Sequence, residues 1–221
     1  FGTAVAGTST CDFILHYGIG LITTPSDGTV TTAKLADSSV SLAKLTATGT
    51  KDATTFLRGD NTFAEVPAGG ITEADQWRLS ADSSGNGAIN SNLERNDSTG
   101  FNYIGTGMTE SSGVFSFPST GIYYVQAKFN AQSDGSGGND NNITGVMYVT
   151  TDNSNYTKVS EARGRVDGTH DTIICTSFID VTNISNVKVY FNKENFNTGS
   201  VFSGNTSHNM TEFTFIRLGD T

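Results

Sequence analysis

Two runs of alternating apolar and polar residues, separated by a turn, lie in residues 114–129. Phe115 and Phe117 share one face of the first run. One face of the second run holds four residues, namely Tyr123, Val125, Ala127 and Phe129. Because the side chains of a strand alternate between its two faces, this pattern indicates strands with one apolar side each. Pro118 and Gly121 are turn residues, so the segment predicts a β-hairpin of a two-sheet sandwich.

Similar runs continue to the end of the sequence. They predict nine strands, at residues 76–81, 101–104, 114–117, 122–130, 143–150, 158–166, 171–181, 186–191 and 212–218. This number is close to the roughly eight to ten strands that a jelly roll requires, and about 140 residues are enough for one β-sandwich. The predicted fold class is therefore all-β, with a jelly-roll sandwich as the last domain.

The first 70 residues have a different composition. They contain five aromatic residues, Phe1, Phe13, Tyr17, Phe56 and Phe63, among many Thr, Ser, Ala, Gly and Asp. Such a segment cannot bury a sizeable core by itself. We therefore predict three parts: the last strands of an upstream β module at 1–24, an extended shaft with a Gly-rich joint at 25–70, and a jelly-roll head at 71–221.

An internal repeat lies in the predicted shaft. Val-Thr-Thr-Ala-Lys-Leu at 30–35 and Val-Ser-Leu-Ala-Lys-Leu at 40–45 are offset by ten positions. Each copy has too few apolar residues to bury them alone, whereas three parallel chains could bury them together. The residues that would then face a three-fold axis are Val30, Leu35, Val40, Leu42 and Leu45. The alternative is a flexible Thr/Ser-rich linker.

A longer motif follows the repeat. Residues 54–63 read Thr-Thr-Phe-Leu-Arg-Gly-Asp-Asn-Thr-Phe, and Pro67 and a Gly-Gly pair come soon after. Together with the Ala-Lys-Leu repeat, this stretch resembles segments of bacteriophage tail fibres and other virion spikes, over residues 27–70. The resemblance implies an extracellular piece of a virion fibre, joined at its N-terminal side to other tail or virion proteins.

Arg58-Gly59-Asp60 within this motif is also the tripeptide that integrins recognise in adhesion ligands. The surrounding motif favours a structural role instead. In that role Gly59 supplies a positive φ to a tight turn, and Arg58 pairs with Asp60 or Asp52.

The hairpin also belongs to a longer pattern. Phe-x-Phe-Pro-x-x-Gly-x-Tyr-x-Val at 115–125, followed by strands separated by polar loops and by an aromatic strand at the C-terminus, resembles the C1q/TNF-like jelly-roll family. The resemblance implies a homotrimer that binds other molecules. It further implies that inner-sheet aromatic residues pack against the neighbouring subunits, and we assign this role to Tyr123, Phe213 and Phe215.

Two loops of the head, at 133–142 and 192–205, are polar and rich in Gly, so we predict that they lie outside the core and form the binding surface. The predicted receptor-binding residues are Asp134, Asn139, Asp140, Asn141, Asn195, Phe196 and Asn197. These loops offer hydrogen bonds rather than charge. This chemistry suits a host surface glycan or a polar surface of an outer-membrane protein.

Net charge argues against binding to nucleic acid, and hydropathy argues against insertion into a membrane. The chain has 22 acidic and 13 basic residues, a formal net charge of −9, and no cluster of Lys and Arg. Binding to nucleic-acid phosphates needs the opposite charge. No apolar run approaches the roughly 18 residues of a transmembrane helix, so we predict no membrane insertion.

Catalytic motifs are missing from the sequence. There are three histidines and neither a Gly-x-Ser-x-Gly elbow nor a Gly-Lys-Ser/Thr loop, and Cys175 lies in an apolar strand. A pair of carboxylates that cleaves polysaccharide is the alternative, but the repeat and length of a depolymerase β-helix are absent. We predict that the protein is not an enzyme.

Metal and thiol chemistry give two more expectations. Asp-x-Ser-x-Gly-x-Asp at 134–140 spaces oxygen atoms as calcium loops do, yet Gly145 stands where an EF-hand has its glutamate. We predict a solvated turn and no cofactor, with inter-subunit calcium as the alternative. Cys11 and Cys175 are predicted to be two buried free thiols, or a disulfide if their modules touch.

Three functions remain after these considerations. The first is the distal part of a homotrimeric tail fibre that attaches to the host surface through its head. The second is a trimerising cap of a fibre or spike. The third is a cellular C1q-like adhesion module, which would carry glycans on its six Asn-x-Ser/Thr sequons at Asn96, Asn142, Asn155, Asn183, Asn205 and Asn209.

Overall fold

The computed structural model describes residues 7, 25–65, 69–135, 139–168, 170–197 and 199–221. The chain forms two compact units, Phe1–Ala68 and Gly69–Thr221. The strands predicted within residues 1–24, and Cys11 with them, lie outside the described residues. Within the described residues, no helix is long and apolar enough to cross a membrane.

Residues 25–65 of the first unit form short elements only. Each copy of the Ala-Lys-Leu repeat contains one 3-10 turn. The turn of the first copy is Thr32–Lys34, and that of the second is Leu42–Lys44. Strands β1 (Thr55–Leu57) and β2 (Phe63–Glu65) form an antiparallel hairpin. Three apolar side chains of the repeat are about half exposed within one chain: Val30, Leu35 and Val40. The repeat therefore contributes no core of its own to a single chain.

The Arg-Gly-Asp tripeptide forms the tip of this hairpin. The prediction that Gly59 supplies the positive φ is wrong, because Asn61 has that conformation, at φ 63°. Asparagine tolerates the left-handed region, so the turn does not need glycine there. Asp60 Oδ1 accepts hydrogen bonds from the Thr62 backbone N (3.1 Å) and hydroxyl (2.6 Å). Arg58 pairs with Asp60 at 3.8 Å, as one of the two predicted pairings has it.

The described residues of the second unit form thirteen strands. They are β3 (Ala74–Leu79), β4 (Ser83–Ser84), β5 (Gly87–Ala88), β6 (Leu93–Arg95), β7 (Thr109–Ser111), β8 (Val114–Ser116), β9 (Gly121–Ser133), β10 (Asn139–Thr150), β11 (Tyr156–Asp167), β12 (Asp171–Val181), β13 (Lys188–Glu194), β14 (Ser200–Phe202) and β15 (Glu212–Gly219).

These strands form two antiparallel sheets. The six-stranded sheet has the order β11-β10-β13-β8-β7, and β5 pairs with β13. In the seven-stranded sheet, β9 pairs with β12 along one of its edges. Along the other edge, β9 pairs first with β15 and then, at its C-terminal end, with β14. β3 and β6 follow β15, and β4 follows β14. The prediction of an all-β sandwich is thereby confirmed.

An aromatic core fills the space between the sheets. The rings of Phe191 and Phe213 stack with their centroids 4.2 Å apart, and Phe115 and Phe215 approach to 5.1 Å. Each of these four side chains is at most 1% exposed. Burying one phenylalanine side chain contributes roughly 1.5–3 kcal/mol, so this cluster is a main source of the stability of the sandwich.

Three sequence predictions about the strands need correction. Residues 101–104 form no strand and make one isolated bridge, Ala74 to Ile104. Five short strands of the second unit were not predicted, namely β4, β5, β6, β7 and β14. The loop predicted at 192–205 contains the end of β13 and all of β14, and it buries Phe196, Val201 and Phe202. Segments of two or three residues are too short to show an alternation.

Cys175 is a free thiol in this core, and it is buried as predicted. Its Sγ donates to the backbone oxygen of Gly145 at 3.1 Å. Burial raises the pKa of the Cys175 thiol to about 11. The neutral thiol is therefore the form present near neutral pH, which suits a packing role rather than a nucleophilic one.

Candidate functional site

The seven-stranded sheet has one face in the core and one face outside it. On the outer face, the register of the strands aligns side chains in three rows, which we call the layered face. An apolar row consists of Phe178, Tyr124, Ile216, Ala74 and Ile104. A polar row consists of Thr176, Gln126, Thr214 and Gln76. A charged row begins at Ile174 and continues with Lys128, Glu212, Arg78 and Glu94.

The apolar row has exposed side chains at both of its ends. Phe178, on the edge strand β12, is 69% exposed, and Ile104 at the other end of the row is 48% exposed. The rings of Tyr124 and Phe178 contact each other, with centroids 5.8 Å apart. Beside Ile104 and Ile216 the surface forms an open depression of about 150 Å³. One row thus ends in a projecting aromatic ring and in a depression.

The polar row is hydrogen-bonded within the sheet. Gln76 Nε2 donates to Thr214 Oγ1 at 3.1 Å, and Asn96 Nδ2 donates to Gln76 Oε1 at 2.9 Å. The Tyr124 hydroxyl donates to Gln126 Oε1 at 2.9 Å, which links this row to the apolar row. Side chains held in this way present a defined pattern of donors and acceptors to a partner.

Ion pairs hold the charged row. Lys128 Nζ and Glu212 Oε1 lie 3.0 Å apart. The Arg78 guanidinium is 0% exposed and lies 2.6 Å from Glu94 Oε1. It also donates to the Asp97 carboxylate and to the carbonyl of Thr206. These contacts fix the segment around Thr206 over that end of the row.

The structure corrects the predicted subunit contacts of the second unit. Tyr123, Phe213 and Phe215 are at most 1% exposed and pack between the two sheets. Their side chains therefore have no surface left for a neighbouring subunit. The next residues along the same strands, Tyr124 and Ile216, point outward instead, because successive side chains of a strand alternate between its faces.

The predicted receptor-binding residues divide into two groups. Four of them are exposed: Asp134, Asn141, Asn195 and Asn197. Asp140 is buried, so the prediction that it contacts a receptor from the surface is wrong, whereas Phe196 is 6% exposed and lines a surface depression. The Asn139 side chain lies outside the described part of the structure. Asp140 has an internal role, since its carboxylate accepts the Asn197 backbone N–H at 2.9 Å.

Three of these residues, Asp134, Phe196 and Asn197, line one depression of about 340 Å³. Ser84, Gly85 and Ser200 line it as well and were not predicted. The strands that carry Ser84 and Ser200 are two and three residues long, so the sequence held no periodic signal for them. The polar composition of the 192–205 stretch was the one available hint.

Asp134 and Asp140, the two carboxylates of the calcium-like loop, have different surroundings. Asp134 is exposed, whereas Asp140 is buried and bonded to Asn197. Among the residues that the structure describes, no three His, Cys, Asp or Glu side chains gather as a metal site.

No protein-family model matches the sequence, and no curated protein matches it either. Solved structures match the fold. Eiger TNF from S. frugiperda has 10% identity and a TM-score of 0.50, over 67% of this chain and 93% of that one. Murine APRIL at pH 5.0 has 10% identity and a TM-score of 0.49, over 66% and 98%. The globular domain of the zebrafish complement 1qA protein has 8% identity and a TM-score of 0.45, over 67% and 99%.

The likeness to the Eiger TNF structure agrees with the two antiparallel sheets described above. The second unit therefore has a C1q/TNF-like jelly-roll fold, which confirms the predicted fold class. At 10% identity the likeness concerns the fold alone.

Proposed function

We propose that this chain is the distal part of a homotrimeric virion fibre, of the bacteriophage tail-fibre kind, and that its second unit attaches the particle to the host surface. The layered face carries the trimeric part of the proposal, because it offers an apolar row on the outside of a folded sandwich. Contiguous apolar surface of this sort is typical of protein–protein interfaces. The resemblance of residues 27–70 to fibre segments supplies the virion context.

The two ends of the apolar row favour a ring of subunits. Phe178 projects at one end, while the depression beside Ile104 and Ile216 lies at the other end. Two different surfaces of one chain that fit each other give a head-to-tail contact, and such contacts close into a ring when the rotation allows it. We propose three subunits because the fold is C1q/TNF-like. Phe178 of each subunit then fills the depression of the next.

The first unit agrees with the same symmetry. Val30, Leu35 and Val40 are about half exposed in one chain, and Leu45 is partly buried. Three parallel chains would bury these side chains together, as the repeat predicts. Residues 25–65 are thus proposed to act as a shaft, joined at their N-terminal side to other tail or virion proteins.

Attachment by such a fibre depends on avidity. Each second unit would bind a host surface glycan or an outer-membrane protein weakly. Three equivalent units on one fibre raise the apparent affinity by about 10²–10⁴ without any new contact. No catalytic step is part of this function, and the site of action is outside the cell.

Cell binding tests this function. The fluorescently labelled full chain is incubated with a panel of bacteria, and bound label is measured by flow cytometry. We expect saturable binding of the full chain to a subset of strains. In residues 69–221 alone, where the apolar repeat cannot hold chains together, Phe178→Asp should lower binding at least tenfold, because a single unit binds without avidity. Val159→Asp, which changes an exposed valine of the six-stranded sheet, is the control and should bind as the wild type does. A trimer that binds no strain would indicate the architectural cap instead.

A further inference from the structure

The depression at Asp134, Phe196 and Asn197 lies beyond the C-terminal end of β9 in the second unit. The chain enters this unit at Gly69, and Ala74 aligns with Ile216 and Tyr124, near the start of β9. β9 then runs for 13 residues, about 40 Å at 3.3 Å per residue. The depression lies just beyond its other end. We call it the distal depression, and it is lined by Ser84, Gly85, Asp134, Phe196, Asn197, Gly199 and Ser200.

The lining is polar and carries little charge. It combines two serines, one amide, one carboxylate and one aromatic residue, and no lysine or arginine is among the described residues that line it. An anionic ligand would meet Asp134 and a chain of net charge −9. A neutral ligand with many hydroxyl groups can both donate to the carboxylate and accept from the amide and hydroxyl groups. The volume of about 340 Å³ also falls within the range of small-molecule sites, roughly 300–1,000 Å³.

Ser200 provides an independent observation. It is 1% exposed, and its Oγ has no hydrogen-bond partner among the described residues. A buried hydroxyl without a partner is unfavourable, and most such groups in native proteins have one. A serine side chain reaches another staggered rotamer easily, so this hydroxyl can turn toward a ligand in the depression that it lines. A ligand hydroxyl would then supply the missing partner.

The wall that carries Asn197 is held in place from inside the unit. The buried Asp140 carboxylate accepts the Asn197 backbone N–H at 2.9 Å and also its side-chain amide. Phe196 N donates to Asn86 Oδ1 at 2.8 Å, and Asn86 Nδ2 donates back to Phe196 O at 3.1 Å. The opposite wall is fixed by the buried Lys193, whose Nζ donates to Ser84 O at 2.9 Å. A wall fixed in this way loses little entropy when a ligand binds.

We infer that the distal depression binds a single neutral saccharide unit, so that each second unit contacts a host glycan with the end farthest from its chain entry. The inference rests on the proposed function, because it names the class of ligand by which the fibre would attach. It also gives Asp140 and Lys193 a role as positioning residues that hold the two walls.

Saturation-transfer difference NMR on the full chain tests this inference. The probes are the methyl glycosides of glucose, galactose, mannose and N-acetylglucosamine, with glucuronic acid as a charged comparison. We expect transfer to at least one neutral glycoside and weaker transfer to glucuronic acid. If no neutral glycoside shows transfer, or if glucuronic acid shows the strongest signal, the inference is overturned.

A pair of glycine variants locates the site. Gly85 has φ +69°, and a Cβ there meets no atom within 4 Å, so Gly85→Asn adds a side chain to the wall without a clash. Gly168 has φ +64° and equally open surroundings, but it lies in the turn between β11 and β12. We expect Gly85→Asn to lower the affinity at least fivefold and Gly168→Asn to leave it unchanged. Equal affinities of the two variants would overturn the inference.

Ser200→Ala is a second variant that keeps the fold. It removes a hydroxyl without a partner, so the unfolding midpoint should not fall, while glycoside affinity should drop at least threefold. An unchanged affinity would overturn the role of Ser200.

Two outcomes separate the saccharide site from host attachment. If Gly85→Asn still binds cells and the glycoside does not inhibit this binding, the saccharide site is overturned, but attachment by the second unit is not. Glycoside binding without cell binding would support the site and overturn attachment.

Discussion

In residues 69–221 alone, Phe178→Asp is expected to turn the trimeric assembly into monomers. The Phe178 side chain is 69% exposed in one chain, so it contributes to a partner contact rather than to the core. An aromatic ring that fills a pocket at the centre of an interface commonly accounts for about 2–4 kcal/mol per contact, and a ring of three subunits has three such contacts. A carboxylate in place of the ring would also have to be desolvated. Sedimentation velocity measures the change.

The control for this prediction is Val159→Asp. Val159 is 44% exposed and lies on β11 in the other sheet, so the same change in charge should leave the assembly intact. Circular dichroism should show the same strand content for both variants, because neither position is in the core. If Phe178→Asp stays trimeric, the apolar row is not the contact surface, and the ring described above is wrong.

Glu94→Ala is expected to lower the free energy of unfolding by about 3 kcal/mol. The Arg78 guanidinium is 0% exposed, and Glu94 Oε1 lies 2.6 Å from it. The other carboxylate partner of Arg78 is Asp97, whose side chain is 78% exposed. Removing one partner of a buried ion pair leaves a buried charge poorly compensated, which commonly costs roughly 3–5 kcal/mol. Glu94 also accepts a hydrogen bond from the Thr206 hydroxyl at 2.9 Å, so the segment it anchors should loosen too.

Asp167→Ala is the matched control for Glu94→Ala. Asp167 pairs with Arg165 at 2.7 Å, but both side chains are more than half exposed. Exposed ion pairs contribute about 1 kcal/mol or less. Urea denaturation of both variants measures the difference. Equal losses of unfolding free energy in the two variants would mean that the buried Arg78 charge does not need Glu94 as a partner. A loss below about 1 kcal/mol for Glu94→Ala would also contradict this role of Glu94.

The long strands of the second unit could be predicted because their alternation lasts for many residues. β12 was predicted with its observed bounds, Asp171–Val181, and β9 and β10 were predicted over 122–130 and 143–150, most of their lengths. The short strands could not be predicted, since Ser83–Ser84 and Gly87–Ala88 are paired by their neighbours in space and not by any pattern of their own. Phe101 to Ile104 looked like a strand because it is aromatic and apolar, yet it pairs at one residue only.

The candidate site was harder to predict than the fold. The alternation on β9 separates Tyr123 from Tyr124 correctly, but it does not say which face meets the other sheet. One signal could have decided this. The face of Tyr123, Val125 and Ala127 is entirely apolar, as a core face should be, whereas the face of Tyr124 also carries Gln126 and Lys128. The distal depression combines loops far apart in the sequence, so no local pattern could reveal it.

The solution mass of residues 69–221 alone tests the central claim most directly. This unit lacks the apolar repeat, so nothing in the first unit can hold its chains together. Multi-angle light scattering should give three times the mass of one such unit, and Phe178→Asp should reduce it to the mass of one. A folded wild-type unit that has the mass of one chain would contradict trimerisation through the layered face.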